Sequence, residues 1–494
     1  MMKWIDNLLN RITMYRLVLY FLSALIVAGF VLSFFGVMPF SPLALVLSFT
    51  VILGTCWMTN ALCARLFRVS VNVESFYITA FILALIITPI DQFKESIGFL
   101  IVASLIAMAS KFIIAPYKKH IFNPAAFAVV VTAFSINQYA GWWIASPYMV
   151  PLILIGGLLV VRKVQRFDLV LSFFVVALAM IVSLNLGRGT HVFASMRGVI
   201  IDSPILFFAF IMLTEPLTTP PTRTGRIAYG AIAGFLFVPA MHIGSIYSTP
   251  ELALVVGNLF SYFVSPKIRL LLTLDRIETL GDDMREFIFH TEHPLVFQAG
   301  QYLEWTVPHR HSDARGNRRY FTIASSPTEQ GVRIGVKLYP KPSTFKQTLF
   351  AMSPGATVTA SQLAGEFVLP RDANRKLVFI AGGIGITPFR SMIKYLIDRK
   401  EHRSIDMFYA TNTEQEIAYR ELFDKARDIL GIKTSYVFGV RLTDAMIKSA
   451  VPDYRERLFY ISGPRSMVVA FEGILKNIGI PRNRIKTDFF PGFV

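Results

Sequence analysis

From about residue 16 to residue 265 the chain is a series of apolar stretches joined by short polar loops, and beyond Lys267 that pattern ends. The stretches fall at about 16–36, 43–61, 73–90, 96–116, 124–138, 147–162, 167–187, 202–214, 226–245 and 249–265. A helix needs about 20 apolar residues to span a bilayer, so they predict a polytopic α-helical membrane domain of roughly ten crossings over residues 1–265, the fifth and eighth being short. The N-terminal MMKWIDNLLNRITMYR is basic and amphipathic. The run behind it is too long for a cleaved signal peptide and is read as the first membrane helix.

Composition supports this. A chain of 494 residues that is 54% hydrophobic, with a mean hydropathy of +0.52, is too apolar for a soluble protein of its length. The formal charge of +17 needs no nucleic acid, because loops on one side carry Arg65, Lys118, Lys119, Arg162, Lys163, Arg166, Arg223, Arg226 and Arg269, among others. The other side carries Lys94, Arg188 and Arg197. The positive-inside rule then places the N-terminus and everything after Lys267 in the cytoplasm, as in a bacterial inner-membrane protein. The two cysteines, Cys56 and Cys63, lie in an apolar stretch. They exclude a disulfide framework and a four-cysteine zinc or iron–sulfur site within the chain, and are read as packing. His120, His191 and His242 fall in loops or near helix ends, not as the paired intramembrane ligands that haem requires. Neither haem nor an iron–sulfur cluster is expected.

Two loops interrupt the membrane pattern: KKHIFNPAAF, with Asn123-Pro124, and MLTEPLTTPPTRTGRIAYG, with Glu215-Pro216 and Pro220-Pro221. Each adjoins a short helix in the corresponding place of one half, the pattern of an internal repeat with a site at its interface. Backbone groups freed there can hold a ligand; ordinary capped turns at the membrane surface are the alternative. Three stretches, VNVESFYITAFILALIITP, KHIFNPAAFAVVVTAF and TEPLTTPPTRTGRIAYG, resemble the B component of the sodium-translocating NADH:quinone oxidoreductase and the D component of the Rnf complex (the NqrB/RnfD family) over roughly residues 60–265. That resemblance implies flavin in the membrane, with FMN linked to a threonine after the Asn-Pro-Ala helix. Here the corresponding SINQYAGWWIASPYMVP contains no threonine. A non-covalent FMN or riboflavin, or a quinone, is expected instead, with Asn123 and Thr218 as contacts. Glu74 and Glu215 lie at helix edges, so ion pumping is not predicted.

Past residue 267 the periodicity changes. RLLLTLDRIETL, REFIFHTE, YLEWTVP, GVRIGVKLYP and ATVTASQL alternate in polarity and predict an antiparallel β-barrel of about 100 residues, spanning 267–372. Over 373–494 strands alternate with helical segments, KLVFIAGG with PFRSMIKYLIDR and LFYISGP with RSMVVAFEGILKNI among them. These predict a parallel α/β sheet with helices on both faces. Within LVFIAGGIGITPF a strand, a glycine turn and a helix start place bare N–H groups where a pyrophosphate can approach.

Barrel followed by nucleotide domain resembles the ferredoxin–NADP reductase family. Arg319-Tyr320-Phe321-Thr322-Ile323-Ala324-Ser325 resembles its FAD motif, with Phe321 where tyrosine is usual. The resemblance implies that Arg319 neutralises the flavin pyrophosphate, Phe321 stacks on the ring and Thr322 sets a hydroxyl near flavin N5. Gln301 and Tyr302 match the preceding turn, Ser343 and Thr344 the phosphate-binding helix start behind Pro342, and Gly365 the turn after the barrel. Tyr320, Ser325 and Lys337 complete the expected flavin and nucleotide contacts. Gly382, Gly383, Gly385, Thr387 and Pro388 match the nicotinamide-cofactor loop, and Ser462-Gly463-Pro464 stands where Cys-Gly-Pro is usual. Thr322, Ser462 and Phe493 are the expected catalytic residues, Phe493 with Phe489 and Phe490 as terminal aromatics covering the flavin. Acidic Glu414 and Glu416 beyond the second strand, with Arg420 the nearest cation, favour NADH over NADPH.

Together these predict a membrane-bound flavoprotein oxidoreductase that takes hydride from NAD(P)H onto FAD in the cytoplasm. Electrons would pass into the membrane domain, to a bound flavin or quinone, or to an extracytoplasmic or membrane redox partner. Two other readings stay open: a reductase merely anchored in lipid and serving a separate protein acceptor, and a transporter with a regulatory nucleotide-binding domain.

Overall fold

The computed structural model describes Ile5, Leu9 and residues 12–488, apart from 68–72, 91–96, 117–119, 188, 190, 239–240, 245, 266–268, 293, 310–312, 314–316 and 441. The chain divides into two compact units, residues 1–267 and 268–490.

The first unit is helical at each predicted apolar run. Among the described residues, four helices are long and apolar enough to cross a membrane: Met14–Phe34, Pro42–Leu66, Pro147–Val164 and Phe167–Gly187. A fifth span results if Val192–Asp202 and Ile205–Met212, bent by 63°, count as one. Glu74–Ile86, Ile97–Ile113, Pro124–Ile136 and Pro250–Val264 are shorter apolar helices. Of the ten expected crossings, four or five thus have the full length of a span among the described residues. Helix Pro124–Ile136 is short because both ends are fixed locally. Asn123 caps its first turn by accepting from the Ala126 N–H, and Asn137 leaves it in the left-handed conformation at φ 55°. Helix Arg223–Leu236 packs backbone to backbone on Phe167–Gly187. A Cβ on Gly230 would lie 2.5 Å from the Leu169 carbonyl oxygen, and one on Gly234 would lie 2.6 Å from that of Phe173. Small residues four apart permit that approach.

In the second unit, six antiparallel strands form one sheet in the order 318–322, 302–306, 357–364, 269–281, 284–291, 332–337. The barrel predicted from alternation is an open half-barrel, since its two edge strands, 318–322 and 332–337, do not pair. Past the first edge strand, residues 323–326 lie between the second edge and helix Thr387–Arg399: the Ala324 N–H donates to the Arg333 carbonyl at 2.8 Å, and Ser391 Oγ donates to the Ser325 carbonyl at 2.6 Å. Trp305, Phe287, Phe289 and Phe345 fill the core.

Five parallel strands follow, in the order 433–438, 405–411, 377–382, 458–462, 485–487. Strand Leu377–Gly382 is buried throughout. Its side chains alternate between two cores: Leu377, Phe379 and Ala381 with Phe389 and Met392, and Val378 and Ile380 with Ile447 and Phe471. Period-two alternation thus makes helices cover both faces. Strand order reverses beside 377–382, and ligands of such sheets bind at the carboxyl ends of the strands there.

Candidate active site at the switch point of the parallel sheet

Strand 377–382 delivers Gly382 into a tight turn, Gly383–Ile386, from which helix Thr387–Arg399 starts. Gly383 has φ +50°, with nothing within 4 Å of where a Cβ would stand. Gly385 is the opposite case: a Cβ would lie 2.5 Å from Gly463 Cα, and one on Gly382 would lie 2.3 Å from Met467 Sδ. The glycines thus let this loop press against Ser462-Gly463-Pro464 at the end of the neighbouring strand. Thr387 Oγ1 donates to the Ile384 carbonyl at 3.2 Å. Pro388 sits in the first helical turn, where its missing N–H costs nothing.

Thr322 comes from the edge of the half-barrel and Ser462 from strand 458–462, and both are buried. Their hydroxyls converge on Oδ2 of Asp488, Thr322 Oγ1 at 3.4 Å and Ser462 Oγ at 3.1 Å. Asp488 follows the last strand, Ile485–Thr487, and its N–H donates to the Ile461 carbonyl at 3.0 Å. Burial pushes its carboxyl up to about 7, against the opposing pull of the two hydroxyls. Sequence reasoning missed Asp488: in KTDFFPGFV the aromatics drew the assignment, although an acid just past a strand end of a parallel sheet was the available signal. Phe489, Phe490 and Phe493 lie outside the described residues.

Arg319 is buried with its guanidinium 5.4 Å from the Phe345 ring centre, and Phe321 lies 5.8 Å from the same ring. Thr344 opens helix Thr344–Phe350, which Ser343 caps. The Thr344 N–H donates to Asp313 Oδ2 at 3.1 Å, and Arg319 Nη2 stands 3.9 Å from Asp313 Oδ1. A carboxylate therefore occupies a cradle of one guanidinium and one helix N–H, and these residues fit the pyrophosphate of FAD. Gln301 carries the turn before strand 302–306, its carbonyl accepting from the Ile323 N–H at 2.9 Å. Tyr302 stacks edge-on to Tyr320 at 5.2 Å and touches Gly365, whose φ of +122° only glycine adopts without strain. Tyr320 Oη donates to Gln362 Oε1 at 3.3 Å.

Two predicted contacts are placed differently from the rest. Ser325 is fully buried, accepts from the Arg333 N–H at 3.2 Å and is held by Ser391. Lys337 pairs with Asp283 and Glu416, each at 3.2 Å. Sequence reasoning also missed the ties around them: Glu286 meets Arg333 at 2.7 Å and accepts from Tyr419 Oη at 2.8 Å. Arg420 is paired with Glu414 at 2.7 Å and lies 5.3 Å from the Tyr436 ring centre.

In the first unit the two proline-broken segments meet. Asn123 Nδ2 donates to Glu215 Oε2 at 2.9 Å, Thr218 Oγ1 stands 3.4 Å from the same oxygen, and His120 Nε2 lies 3.2 Å from Oε1. Asn258, from helix Pro250–Val264, accepts from the Asn123 N–H at 2.7 Å. Cys56 is buried and Cys63 partly so, both as free thiols. A five-residue π-turn, Phe208–Met212, precedes Glu215, an irregularity frequent at functional sites.

Residues 147–269 match the NQR2, RnfD, RnfE family, and residues 379–472 match the oxidoreductase NAD-binding domain. The F component of the Na(+)-translocating NADH-quinone reductase of Actinobacillus pleuropneumoniae is 27% identical over 203 residues, covering 35% of this chain and 49% of that protein. The flavohemoprotein of Bacillus subtilis is 25% identical over 209 residues, covering 39% and 51%. The chain thus spans about half the length of the curated relatives it matches. The crystal structure of the Amycolatopsis cytochrome P450 reductase aligns with a TM-score of 0.41 at 23% identity, covering 45% of this chain and 70% of that one. The chain joins a region that matches the NQR2, RnfD, RnfE family to one that matches the oxidoreductase NAD-binding domain.

Proposed function

We propose that the chain is a membrane-bound flavoprotein oxidoreductase that oxidises NAD(P)H and delivers the electrons to an acceptor in its membrane half. The observation that carries this is the meeting of Thr322 and Ser462, from two different sheets, on the carboxyl of Asp488. Arg319, Phe321, Gln301, Tyr302, Ser343, Thr344 and Gly365 would hold FAD, which when bound supplies a two-electron acceptor able to release electrons singly or in pairs. Gly382, Gly383 and Gly385 clear the approach for a nucleotide pyrophosphate, and Ser462 and Gly463 flank the nicotinamide. A carboxyl titrating near 7 beside two hydroxyls can hold or release a proton at working pH.

NADH is the favoured donor. A 2′-phosphate needs a free cation beyond the second strand, and there Arg420 is engaged by Glu414 and Lys337 by Glu416. The short apolar helices complete a membrane domain built of two related halves, with the N-terminus and the second unit cytoplasmic, on the positive-inside argument. The acceptor there is a non-covalent FMN or riboflavin, or a quinone, at the junction of Asn123-Pro124 with Glu215-Pro216, and it can hand electrons on to a membrane partner.

Flavin released by acid from the detergent-purified full chain, together with NADH- and NADPH-driven ferricyanide reduction, tests the proposal. FAD at one per chain and turnover with NADH are expected. A flavin-free protein that binds NADH without oxidising it would instead mark a regulatory nucleotide domain.

A further inference from the structure

Helix Thr387–Arg399 starts at the glycine turn Gly383–Ile386, and two side chains near its start grip the chain of the half-barrel. Arg390 Nη1 donates to the Ala324 carbonyl at 3.1 Å, and Ser391 Oγ donates to that of Ser325. Both carbonyls lie just past Thr322, which meets Ser462 at Asp488. Glu329 holds Arg390 in that pose, accepting from Nη1 and from Nη2 at 2.9 Å. It also accepts from the Ser326 N–H at 2.7 Å, so one carboxylate holds both the guanidinium and the segment. Resting on the oxidoreductase function proposed above, we propose that Arg390, clamped by Glu329, is a positioning residue for hydride transfer. It sets how far the Thr322 edge, on the flavin side, stands from the glycine turn on the coenzyme side.

The pair does not stand alone. Tyr419, held at φ 60° just before helix Arg420–Leu430, has its ring centre 5.6 Å from the Arg390 guanidinium carbon. Its hydroxyl donates to Glu286 Oε1 at 2.8 Å, Glu286 Oε2 pairs with Arg333 at 2.7 Å, and Arg333 Nε stands 3.8 Å from Glu329 Oε1. These five side chains close a ring, in which Glu286, Glu329 and Arg333 belong to the half-barrel and Arg390 and Tyr419 to the parallel-sheet half. Two cations face two carboxylates, so the charges balance and their burial is tolerated. Beside the ring the two halves touch. A Cβ on Gly335, in strand 332–337, would lie 2.8 Å from Thr387 Cγ2 and 3.0 Å from Ile384 Cδ1. Across a contact that close, a planar guanidinium gripped at two nitrogens fixes an orientation, whereas an ammonium on a flexible stem does not.

The step that this geometry serves is NADH + H⁺ + FAD → NAD⁺ + FADH₂. A C–H bond of the dihydronicotinamide breaks, its hydrogen carries both electrons to the flavin ring, and solvent supplies the proton. Donor and acceptor atoms must come within about 3–3.5 Å, and a misplacement of about 1 Å costs about 100-fold in rate. A change at Arg390 is therefore read in the rate of hydride transfer, while the surfaces that bind FAD and coenzyme stay as they are.

The test uses the full chain in detergent. In Arg390→Lys, flavin reduction at saturating NADH should slow about 30- to 100-fold. FAD should stay at the wild-type level, and the Kd for NAD⁺, which binds without reacting, should stay within about threefold. Hydrogen exchange at the Ala324 and Ser326 amides should speed up about 10-fold in the same variant, because the segment loses its grip. Glu329→Gln keeps the shape and removes the charge, and should show the same split between rate and binding at about 10-fold. Unchanged reduction, or unchanged exchange, in Arg390→Lys overturns the inference. So does a loss of FAD or NAD⁺ binding that matches the loss of rate in both variants, since the ring would then be a structural tie. A wild-type chain without FAD, or one whose FAD neither NADH nor NADPH reduces, removes the oxidoreductase function itself and the inference with it.

Discussion

Asp488 and Glu215, one in each unit, are built on the same plan with different partners. Each is a carboxyl reached by side chains from distant parts of the chain. Asp488 gathers two neutral hydroxyls, from positions 166 and 26 residues away. Glu215 gathers an amide and an imidazole, from 92 and 95 residues away. Hydroxyls offset little of a carboxylate's desolvation, which is why Asp488 is pushed up towards neutrality. An amide and an imidazole are stronger partners and hold the carboxyl in place. The difference teaches that burial alone does not assign a role: the partners decide whether a carboxyl is poised to exchange a proton or is clamped.

The sharpest break of this comparison is Asp488→Asn. It keeps the shape and removes the proton, and NADH-driven ferricyanide reduction should fall about 100- to 1,000-fold. Its stability should change with pH in a defined sense. The folded carboxyl titrates near 7 instead of 3.8, so the group's contribution is fully present below pH 3.8 and is lost as pH rises through 7. The melting temperature of Asp488→Asn relative to wild type should therefore climb between pH 5 and 8. A flat difference would mean that the carboxyl is not desolvated. Next in size, Arg319→Ala should weaken FAD retention about 10- to 100-fold, read by flavin fluorescence after dilution, because a charge-assisted contact to the pyrophosphate is lost. Retention at the wild-type level would remove Arg319 from the cradle that Asp313 marks.

Much of the second unit was legible because its signals are local. A strand, a glycine turn and a helix start are consecutive in LVFIAGGIGITPF, and the structure folds them consecutively. The open edge of the half-barrel was not legible, since alternation reports which face is buried and not whether the last strand meets the first. Asp488 was hidden for a related reason: its meaning depends on Thr322 and Ser462 arriving from elsewhere. In the first unit, Asn123-Pro124 and Glu215-Pro216 could be singled out by their broken helices, but pattern alone could not show that they bond to one another or that His120 and Asn258 join them. Caps such as Asn123 and Asn137 end a helix inside its apolar run, which run length alone does not report.

Asn123→Ala probes the clamp at intermediate size. It removes the cap on the Ala126 N–H and the amide on Glu215, and should cost the first unit about 1–3 kcal/mol in detergent unfolding. A cost near zero would mean that the junction is a surface turn.

The smallest effect concerns Lys337, assigned from sequence to the cofactor and placed by the fold between Asp283 and Glu416. Asp283 lies in the turn between strands 269–281 and 284–291 of one sheet and Glu416 in the turn Glu414–Glu416 that follows strand 405–411 of the other, so the ammonium acts there as a tie. A part-exposed ion pair is worth about 0.2–1 kcal/mol. Lys337→Ala should therefore lower the melting temperature of the second unit by about 0.4–4 °C and leave the KM for NADH within about threefold, less than 1 kcal/mol of binding. Glu416 keeps the amide of Asn412 at 3.3 Å after that change but loses its cation, and on the proposed coenzyme placement this should sharpen the preference for NADH over NADPH, because a carboxylate without its cation repels a 2′-phosphate. A KM raised tenfold for both coenzymes, with the melting temperature unmoved, would return Lys337 to the cofactor site.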